Sequence, residues 1–407
     1  MSKMRPRSII SLVAVFTLCT CIDPYSPKLI GYESLLVVDG LITDANSSNT
    51  IRLTRTFKYQ NSNPAPVSDA TVSIADDSGN SNNLTNKGNG IYKTDSTVFK
   101  GVAGKTYSLH ILTKDGTEYQ SEPCTMKSVP DIDSLYFEKD QKFVNNGVDS
   151  QDGISIYLDS KAGNPDQYFR WVYEETWKFK VPVPKRFNYI NDSTIVPVAT
   201  VNEYCWKNRK SDEILINSNF SGQTGPVKKE PVLFIGTNQS DRLLIQYSVK
   251  INQYSISKNE FEFWNNMKQI NESGGDIFAK QPFSVISNIH NKINSDEQVL
   301  GYFQVSAVKT KRKNISFSEV GSLNLPFYHY PCTRIEMAPS DYPRSRYSPP
   351  LTFDELNDMF LTSGYYFCEP IYIPGTFKLQ KLVFALPECA DCEITGTSLK
   401  PDFWIDL

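Results

Sequence analysis

Residues 51–59 read Ile51-Arg-Leu-Thr-Arg-Thr-Phe-Lys-Tyr59, and this stretch decides the fold class. Apolar side chains recur at every second position through most of it, as they do in a strand that buries one face and exposes the other. Leu36 and Val38 show the same spacing just before Gly40. The pattern predicts two half-buried β-strands at the beginning of a β-rich region.

The alternating pattern continues downstream as far as residue 129. Its runs are short, and sequences that favour tight turns separate them. In order they are the run Ala70, Val72 and Ile74, the turn Asp76 to Asn80, the run Gly90 to Tyr92, the run Tyr107, Leu109 and Ile111, and the turn Asp115-Gly116. At least six short strands joined in this way predict a small β-sandwich over residues 35–129.

Residues 130–407 keep the β character but carry larger aromatic side chains. Phe169, Trp171 and Tyr173 fall on one face of a strand. Aromatic stripes of this kind are core more often than they are binding surfaces. We interpret 130–407 as a second, larger β-rich domain.

Two capping signals predict short helices within that domain. Ser257 and Glu260 have the spacing of a capping box, and apolar residues follow at helical intervals until Gly274-Gly275. Thr352 and Glu355 repeat the signal before a helix that runs through Leu361. The sequence therefore predicts a mainly β fold with one or two short helices that face the core.

Upstream of the first strand, residues 1–20 resemble a bacterial lipoprotein signal peptide. Lys3, Arg5 and Arg7 precede an apolar run of about half the ~20 residues that a membrane-spanning helix needs. The run ends at Leu18-Cys-Thr-Cys21, which resembles a lipobox, so we expect Cys21 to be acylated and to become the new N-terminus. An ordinary secreted protein cut nearby is the alternative. Residues 21–34 are then a tether between lipid and fold.

Composition excludes two functional classes. The net charge of -3 gives no electrostatic basis for nucleic-acid binding, because proteins of that class usually carry a strongly basic surface. A mean hydropathy of -0.37, with no later long apolar run, excludes a multi-span membrane protein. We expect the N-terminal lipid to be the attachment to the membrane.

Six cysteines follow Cys21, an even number in a chain whose N-terminus directs it to an oxidising compartment. These disulfide candidates are Cys124, Cys205, Cys332, Cys368, Cys389 and Cys392. The sequence does not choose between their possible pairings. The Cys389-Ala-Asp-Cys392 pair is expected to form structural disulfides, either internally or with Cys205, Cys332 or Cys368, and Cys124 is a candidate for tying the two domains together.

No local catalytic signature occurs in the chain. It has three histidines and lacks HExxH, GxSxG and a glycine loop that could cradle phosphate. We therefore expect a non-enzymatic protein with no cofactor and no metal. A hydrolase whose site is assembled from distant residues is the disfavoured alternative.

Several motifs resemble known families. Val67-Ser-Asp-Ala-Thr-Val72 and Gly90-Ile-Tyr92 are similar to a transthyretin-like or carboxypeptidase-regulatory module, a sandwich of the Ig-like kind. Over nearly its whole length, the chain is similar to a Bacteroidetes-type lipoprotein family known only as a domain of unknown function, numbered 4249. The motifs that carry the second resemblance are Pro282 to Asn291, Val299-Leu-Gly-Tyr-Phe303, Lys309-Thr-Lys-Arg-Lys313, Cys389-Ala-Asp-Cys392 and Pro401-Asp-Phe-Trp404. The resemblance implies a transthyretin-like first domain, followed by a family-specific β-rich domain.

The resemblance also implies a cellular location and a function. Members of this family look like lipid-anchored companions of outer-membrane receptors. We accordingly expect a non-enzymatic accessory subunit of a TonB-dependent receptor, or of another barrel complex, at the cell surface or on the periplasmic face of the outer membrane. The lipid would keep the protein near its partner and so raise its effective concentration there.

Tyr328 to Pro350 is the predicted partner-binding segment, because Tyr and Arg concentrate at the centres of interfaces. Its interface candidates are Tyr342, Arg344, Arg346 and Tyr347. A loop that packs on its own sheet is the structural alternative. The functional alternative is a surface ligand-capture module that binds glycan or peptide in an aromatic cleft lined by Trp171, Trp177 or Tyr347.

Overall fold

The computed structural model describes residues 34–57, 63–144, 147, 149–161, 163, 167–218, 225–273, 287–342, 349 and 351–407. Within these residues the chain is mainly β, as predicted, with twenty-five strands and four α-helices. The strands build two β-sandwiches, one three-stranded sheet and one two-stranded hairpin. Of the helices in the described ranges, none is long and apolar enough to cross a membrane.

Ten short strands open the fold, and their side chains alternate between core and solvent. In β1, for example, Leu36, Val38, Gly40 and Ile42 are buried, and the residues between them are not. The ten strands are β1 (Leu36–Ile42), β2 (Thr50–Arg55), β3 (Ala65–Pro66), β4 (Thr71–Asp76), β5 (Ser81–Asn83), β6 (Thr85–Asn86), β7 (Ile91–Lys93), β8 (Thr106–Leu112), β9 (Glu118–Ser121) and β10 (Cys124–Thr125).

Longer strands and the helices follow. They are β11 (Ile132–Val144), β12 (Asp149–Ser160), β13 (Tyr168–Lys180), β14 (Phe187–Asn191), β15 (Thr194–Pro197), β16 (Tyr204–Lys210), β17 (Leu215–Ser218), β18 (Val227–Gly236), β19 (Gln246–Ile256), α1 (Lys258–Ser273), β20 (Ile289–Asn291), β21 (Leu300–Val305), β22 (Val308–Ser316), α2 (Phe317–Gly321), β23 (Ile335–Met337), α3 (Phe353–Thr362), β24 (Tyr366–Tyr372), β25 (Leu379–Ala385) and α4 (Pro387–Ala390). The predicted helices correspond to α1 and α3, whereas α2 and α4 carry no signal that sequence reading recognised.

The first sandwich contains two strands from much later in the chain. Its sheets have the orders β21-β1-β2-β7-β6 and β20-β9-β8-β4-β5, with β3 paired to β2 and β10 paired to β8. β21 runs parallel to β1, with Val37 opposite Leu300. The first domain predicted over residues 35–129 omits these two returning strands, which complete its edges.

The second sandwich packs a three-stranded sheet against a five-stranded sheet. The orders are β11-β12-β18 and β16-β13-β19-β22, with β17 paired to β13. Its core contains Ile156, Trp171, Tyr247 and Ile251 from the facing strands. The outer face of the five-stranded sheet does not take part in this core, and other parts of the chain cover some of it.

A smaller unit follows the second sandwich and includes a hairpin from the middle of the chain. Its sheet has the order β23-β25-β24. The hairpin β14–β15 and helix α3 pack around this sheet, with Phe187 and Tyr189 against Phe367 and Phe384. We call this part, residues 183–197 and 332–390 as far as they are described, the bridged unit, because disulfides hold it in place.

Candidate functional site

Most of the predicted interface residues lie outside the described part of the chain. This holds for Arg344, Arg346 and Tyr347, and also for the predicted lipidation site Cys21. Tyr342 is described and is 41% exposed, directly after the 3₁₀ turn Pro339–Asp341. Of the four predicted interface residues, Tyr342 is therefore the one that the structure describes, and its side chain is accessible to solvent.

Two disulfides tie the C-terminal part of the chain together. Cys205 in β16 is bonded to Cys392, and Cys332 is bonded to Cys389 in α4. Cys389 and Cys392 therefore form disulfides with two different partners and not with each other. One bridge fixes the end of the chain to the second sandwich, and the other closes the bridged unit.

The other two disulfide candidates, Cys124 and Cys368, are free thiols, so neither ties domains together. They belong to different cores, Cys124 at the first sandwich and Cys368 in the bridged unit. Cys124 Sγ accepts a hydrogen bond from Asn288 Nδ2 at 3.3 Å. Burial raises the pKa of each thiol to about 12. A thiol with so high a pKa has little nucleophilic thiolate at neutral pH.

The last residues of the chain cover one end of the outer face of the five-stranded sheet. Trp404 is buried edge-to-face on Trp206, with ring centroids 6.1 Å apart. Gln246 in β19 donates to the Ile405 carbonyl oxygen at 2.6 Å and accepts from the Leu407 backbone N–H at 3.2 Å. Since Cys205 and Trp206 are neighbours on opposite faces of β16, a single strand anchors both the Cys392 bridge and the Trp404 contact.

This arrangement leaves a group of apolar side chains in solvent. Among the described residues, fourteen of the twenty-one exposed large apolar side chains lie in 183–204 and 342–407. They are densest around the chain end, where Leu399, Ile405 and Leu407 are 78%, 65% and 68% exposed. We define the terminal patch as Tyr204, Phe317, Leu399, Phe403, Ile405 and Leu407.

Charged groups surround the terminal patch. Asp406 accepts from Lys400 Nζ at 2.7 Å and from Lys178 Nζ at 3.2 Å. These hydrogen bonds, that of Lys400 first, lower the pKa of Asp406 to about 2. The Arg312 guanidinium stacks on Phe403 at 3.5 Å from the ring centroid. An apolar centre with a charged rim that includes Arg is the usual anatomy of a protein interface.

Strand β13 separates the terminal patch from the first sandwich. Near its start, Arg170 Nη1 donates to Gln304 Oε1 of the first sandwich at 2.9 Å, and near its end Lys178 binds Asp406 beside the patch. The strand has 13 residues and is therefore ~40 Å long at about 3.3 Å per residue. β1 ends at this same junction, because the Ile42 carbonyl oxygen accepts from Ser306 N. The first residue of β1, Leu36, therefore lies at the end of the first sandwich that is away from the second sandwich.

The predicted aromatic cleft does not form around its two tryptophans. Trp171 is 1% exposed and donates its indole N–H to Gln253 at 2.9 Å, while Trp177 is 9% exposed and donates to Asp241 at 2.8 Å. Both rings fill the second sandwich, where alternation along β13 puts them. Tyr347, the third proposed lining residue, lies outside the described residues.

Buried carboxylates in the second sandwich are paired with cations. Glu175 accepts from Arg242 Nη1 at 2.9 Å, and Asp241 accepts from Lys207 Nζ at 2.8 Å. Tyr247, fully buried, donates to Glu175 at 2.8 Å, and burial raises its pKa. Within the described ranges, His, Cys, Asp and Glu side chains form no group that could hold a metal ion. The pairing is that of a structural ion network, in which each charge has its partner.

The terminal patch was not predicted as a surface from the sequence. The ending Pro401-Asp-Phe-Trp404 was noted as a motif, and Trp404 is indeed its buried residue. The available signal was the spacing of Phe403, Ile405 and Leu407, which alternate with polar or buried neighbours in the last residues.

Comparison with known proteins gives one family. The model described as "Domain of unknown function (DUF4249)" matches residues 22–312. A search of curated proteins finds no match to the chain. The matched region takes in both sandwiches as far as Arg312 in β22, together with residues 183–197 of the bridged unit and Tyr204 of the terminal patch. It ends before residues 332–390 of the bridged unit and before the other five residues of the terminal patch.

Proposed function

The chain belongs to the DUF4249 family, and from that premise we propose that it is an outer-membrane-anchored lipoprotein of the Bacteroidetes type. In this proposal it serves as a non-enzymatic accessory subunit of a TonB-dependent receptor, or of another outer-membrane barrel complex. The first sandwich is the transthyretin-like module next to the lipid, and the terminal patch is the surface that meets the partner.

The separation between the start of β1 and the terminal patch is the observation that carries the proposal. Thirteen residues from the Cys21-Ile22 bond to Ser34 reach at most ~45 Å when fully extended, at about 3.3–3.6 Å each. The first sandwich and the ~40 Å strand β13 then lie between this tether and the terminal patch. Such a body presents an apolar patch to a protein that itself stands on the membrane.

The energetic argument is that tethering makes a modest interface sufficient. A lipid-anchored protein samples the small volume beside its membrane partner, so its effective concentration is far above its bulk concentration. The terminal patch offers six apolar or aromatic side chains, of which a few buried anchors usually supply most of the binding free energy. The buried ion pairs of Glu175 and Asp241 support a non-enzymatic role, because the negative charge of each carboxylate is already paired with a cation.

Affinity purification of the full-length protein from membranes in mild detergent tests the proposal. We expect the wild-type chain to recover a β-barrel receptor. The triple variant Leu399→Ser/Ile405→Ser/Leu407→Ser should lose the receptor, since it removes the most exposed side chains of the terminal patch.

The matched control is Val98→Ser/Val102→Ser/Ile293→Ser, which removes three exposed apolar side chains from the first sandwich. It should recover the receptor as the wild type does. A clean monomer from wild-type membranes would overturn the proposed role. A triple patch variant that still recovers the receptor would leave the role standing but reject the patch as the binding surface.

A further inference from the structure

The two sandwiches meet at a joint that buries several polar side chains. Arg170 of β13 donates to Gln304 of β21 and stacks on the Trp264 indole of α1, 3.8 Å from the ring centroid. Around this contact, Leu41 of the first sandwich packs with Phe261 and Trp264 of α1 and with Tyr254 of β19. Helix α1 thus contributes directly to the contact between the sandwiches.

Glu260 lies at the centre of this joint, in the first turn of α1. The Ser257 hydroxyl accepts from the Glu260 backbone N–H at 3.1 Å, as a helix cap does. The Glu260 side chain, however, is buried, and the residue is 2% exposed. Three buried polar atoms there have no hydrogen-bond partner: Glu260 Oε1, Ser306 Oγ and Trp264 Nε1.

We propose that the protonation state of Glu260 controls the stability of the joint between the two sandwiches. In its neutral form the carboxyl group fits the buried site and the joint is closed. When it loses its proton to solvent, a charge lies in a place that lacks a direct hydrogen-bond partner for Oε1, and the contact between α1, β21 and β13 loosens.

The chemistry of the site favours the neutral form. Burial is the decisive factor, because no hydrogen bond from the Trp264 N–H or the Ser306 hydroxyl, either of which could stabilise a carboxylate, reaches Oε1. Burial of an ionised carboxylate is costly unless it is paired and hydrogen-bonded. In agreement with this geometry, burial raises the pKa of Glu260 to about 7, while the Arg170 charge and the nearby Trp264 and Ser306 side chains oppose the rise.

Other ionisable groups face the joint from each element that packs there. Asp39 of β1 and Tyr254 of β19 act on the Arg170 guanidinium, whose pKa burial lowers. Tyr302 of β21 faces Glu260 and Cys124, and burial raises its pKa. Arg170 is therefore the cation of the group, and Glu260 is the member whose raised pKa lies near neutrality.

The sign of the pH effect follows from linkage. The pKa of Glu260 in the closed joint lies above the ordinary glutamate value of 4.5, so the closed form binds the proton more tightly. Its contribution to closure is complete below the pKa of the open form and is lost as pH rises through about 7. Between about pH 6 and about pH 8 the opening equilibrium should therefore rise about tenfold, if the open form exposes Glu260.

Hydrogen exchange of the full-length protein, read by mass spectrometry and corrected for the intrinsic effect of pH, tests this proposal. In the wild type, peptides from 258–264 and 300–307 should exchange about tenfold faster at about pH 8 than at about pH 6. Glu260→Gln keeps the shape and cannot ionise, so the two rates should become equal. Circular dichroism verifies that it is folded, and Glu260→Met makes the same comparison if it is not.

Glu262→Gln is the matched control, because it makes the same charge change two residues further along α1, where the side chain is 59% exposed. It should keep the wild-type pH dependence. Equal wild-type exchange at both pH values would overturn the proposal, and so would a pH dependence that survives in Glu260→Gln.

Discussion

At the scale of single residues, β13 places two neighbouring glutamates in opposite environments. Glu174 lies on the outer face, 38% exposed and 3.5 Å from Lys250. Glu175 lies on the inner face with its side chain fully buried, bound to Arg242 and Tyr247. The period of two that predicted a shared face for Trp171 and Tyr173 also assigns Glu175 to that face. The partners of Glu175 were not predictable, because they lie 67 and 72 residues further along the chain.

Replacing Glu175 by alanine should destabilise the second sandwich by roughly 3–5 kcal/mol, because Arg242 keeps a half-buried charge that has lost its counterion. Glu174→Ala, one residue away, should change the free energy of unfolding by less than about 1 kcal/mol, since its ion pair is exposed. Urea unfolding at neutral pH, followed by circular dichroism, measures both. Equally small effects would mean that the buried pair contributes little to stability.

At the scale of elements, the pairing of strand β21 with β1 could not be predicted from the sequence. Alternation predicted the strands of the first sandwich, and capping boxes predicted α1 and α3, because these signals are local. The segment Val299 to Phe303 was recognised as a motif but assigned to the second domain. Its pairing with β1 is a contact between residues more than 250 apart, and only the assembled fold specifies it.

Gly301 makes the pairing of β21 with β1 possible. It has a φ of +85°, and a Cβ there would collide with the Val38 carbonyl oxygen. Gly301→Ala should therefore weaken the first sandwich by more than the ~1–2 kcal/mol that a left-handed backbone alone costs an alanine. Hydrogen exchange of residues 300–305 should become faster, because the bonds between β1 and β21 break more often.

Gly116→Ala provides the comparison for Gly301→Ala. Gly116 also has a φ of +85°, but no atom lies within 4 Å of an added Cβ. Its substitution should carry the backbone cost alone and leave the exchange of 300–305 as in the wild type. If the two variants lose the same stability, the close approach of β21 to β1 does not constrain the fold.

At the scale of the whole molecule, the chain end is tied back to its middle. The bridge between Cys205 and Cys392 spans 187 residues, and that between Cys332 and Cys389 spans 57. These partners were among the pairings that the sequence allows, but the sequence does not choose between them, because pairing depends on which cysteines the fold brings together. The terminal patch has the same origin: Trp404 and Gln246 position it from distant parts of the chain.

Removing the long bridge should release the chain end and leave the first sandwich intact. A disulfide typically stabilises the folded state by about 2–4 kcal/mol, mainly by restricting the unfolded chain. In Cys205→Ser/Cys392→Ser, residues 391–407 then depend on their non-covalent contacts, such as those of Trp404 and Asp406, so their hydrogen exchange should accelerate while that of β1 and β2 is unchanged. Cys124→Ser, which alters a free thiol in the first sandwich, should leave 391–407 protected. Unchanged protection of 391–407 in the double variant would mean that the non-covalent contacts suffice to hold the chain end, and the terminal patch would then keep its shape in a reducing environment.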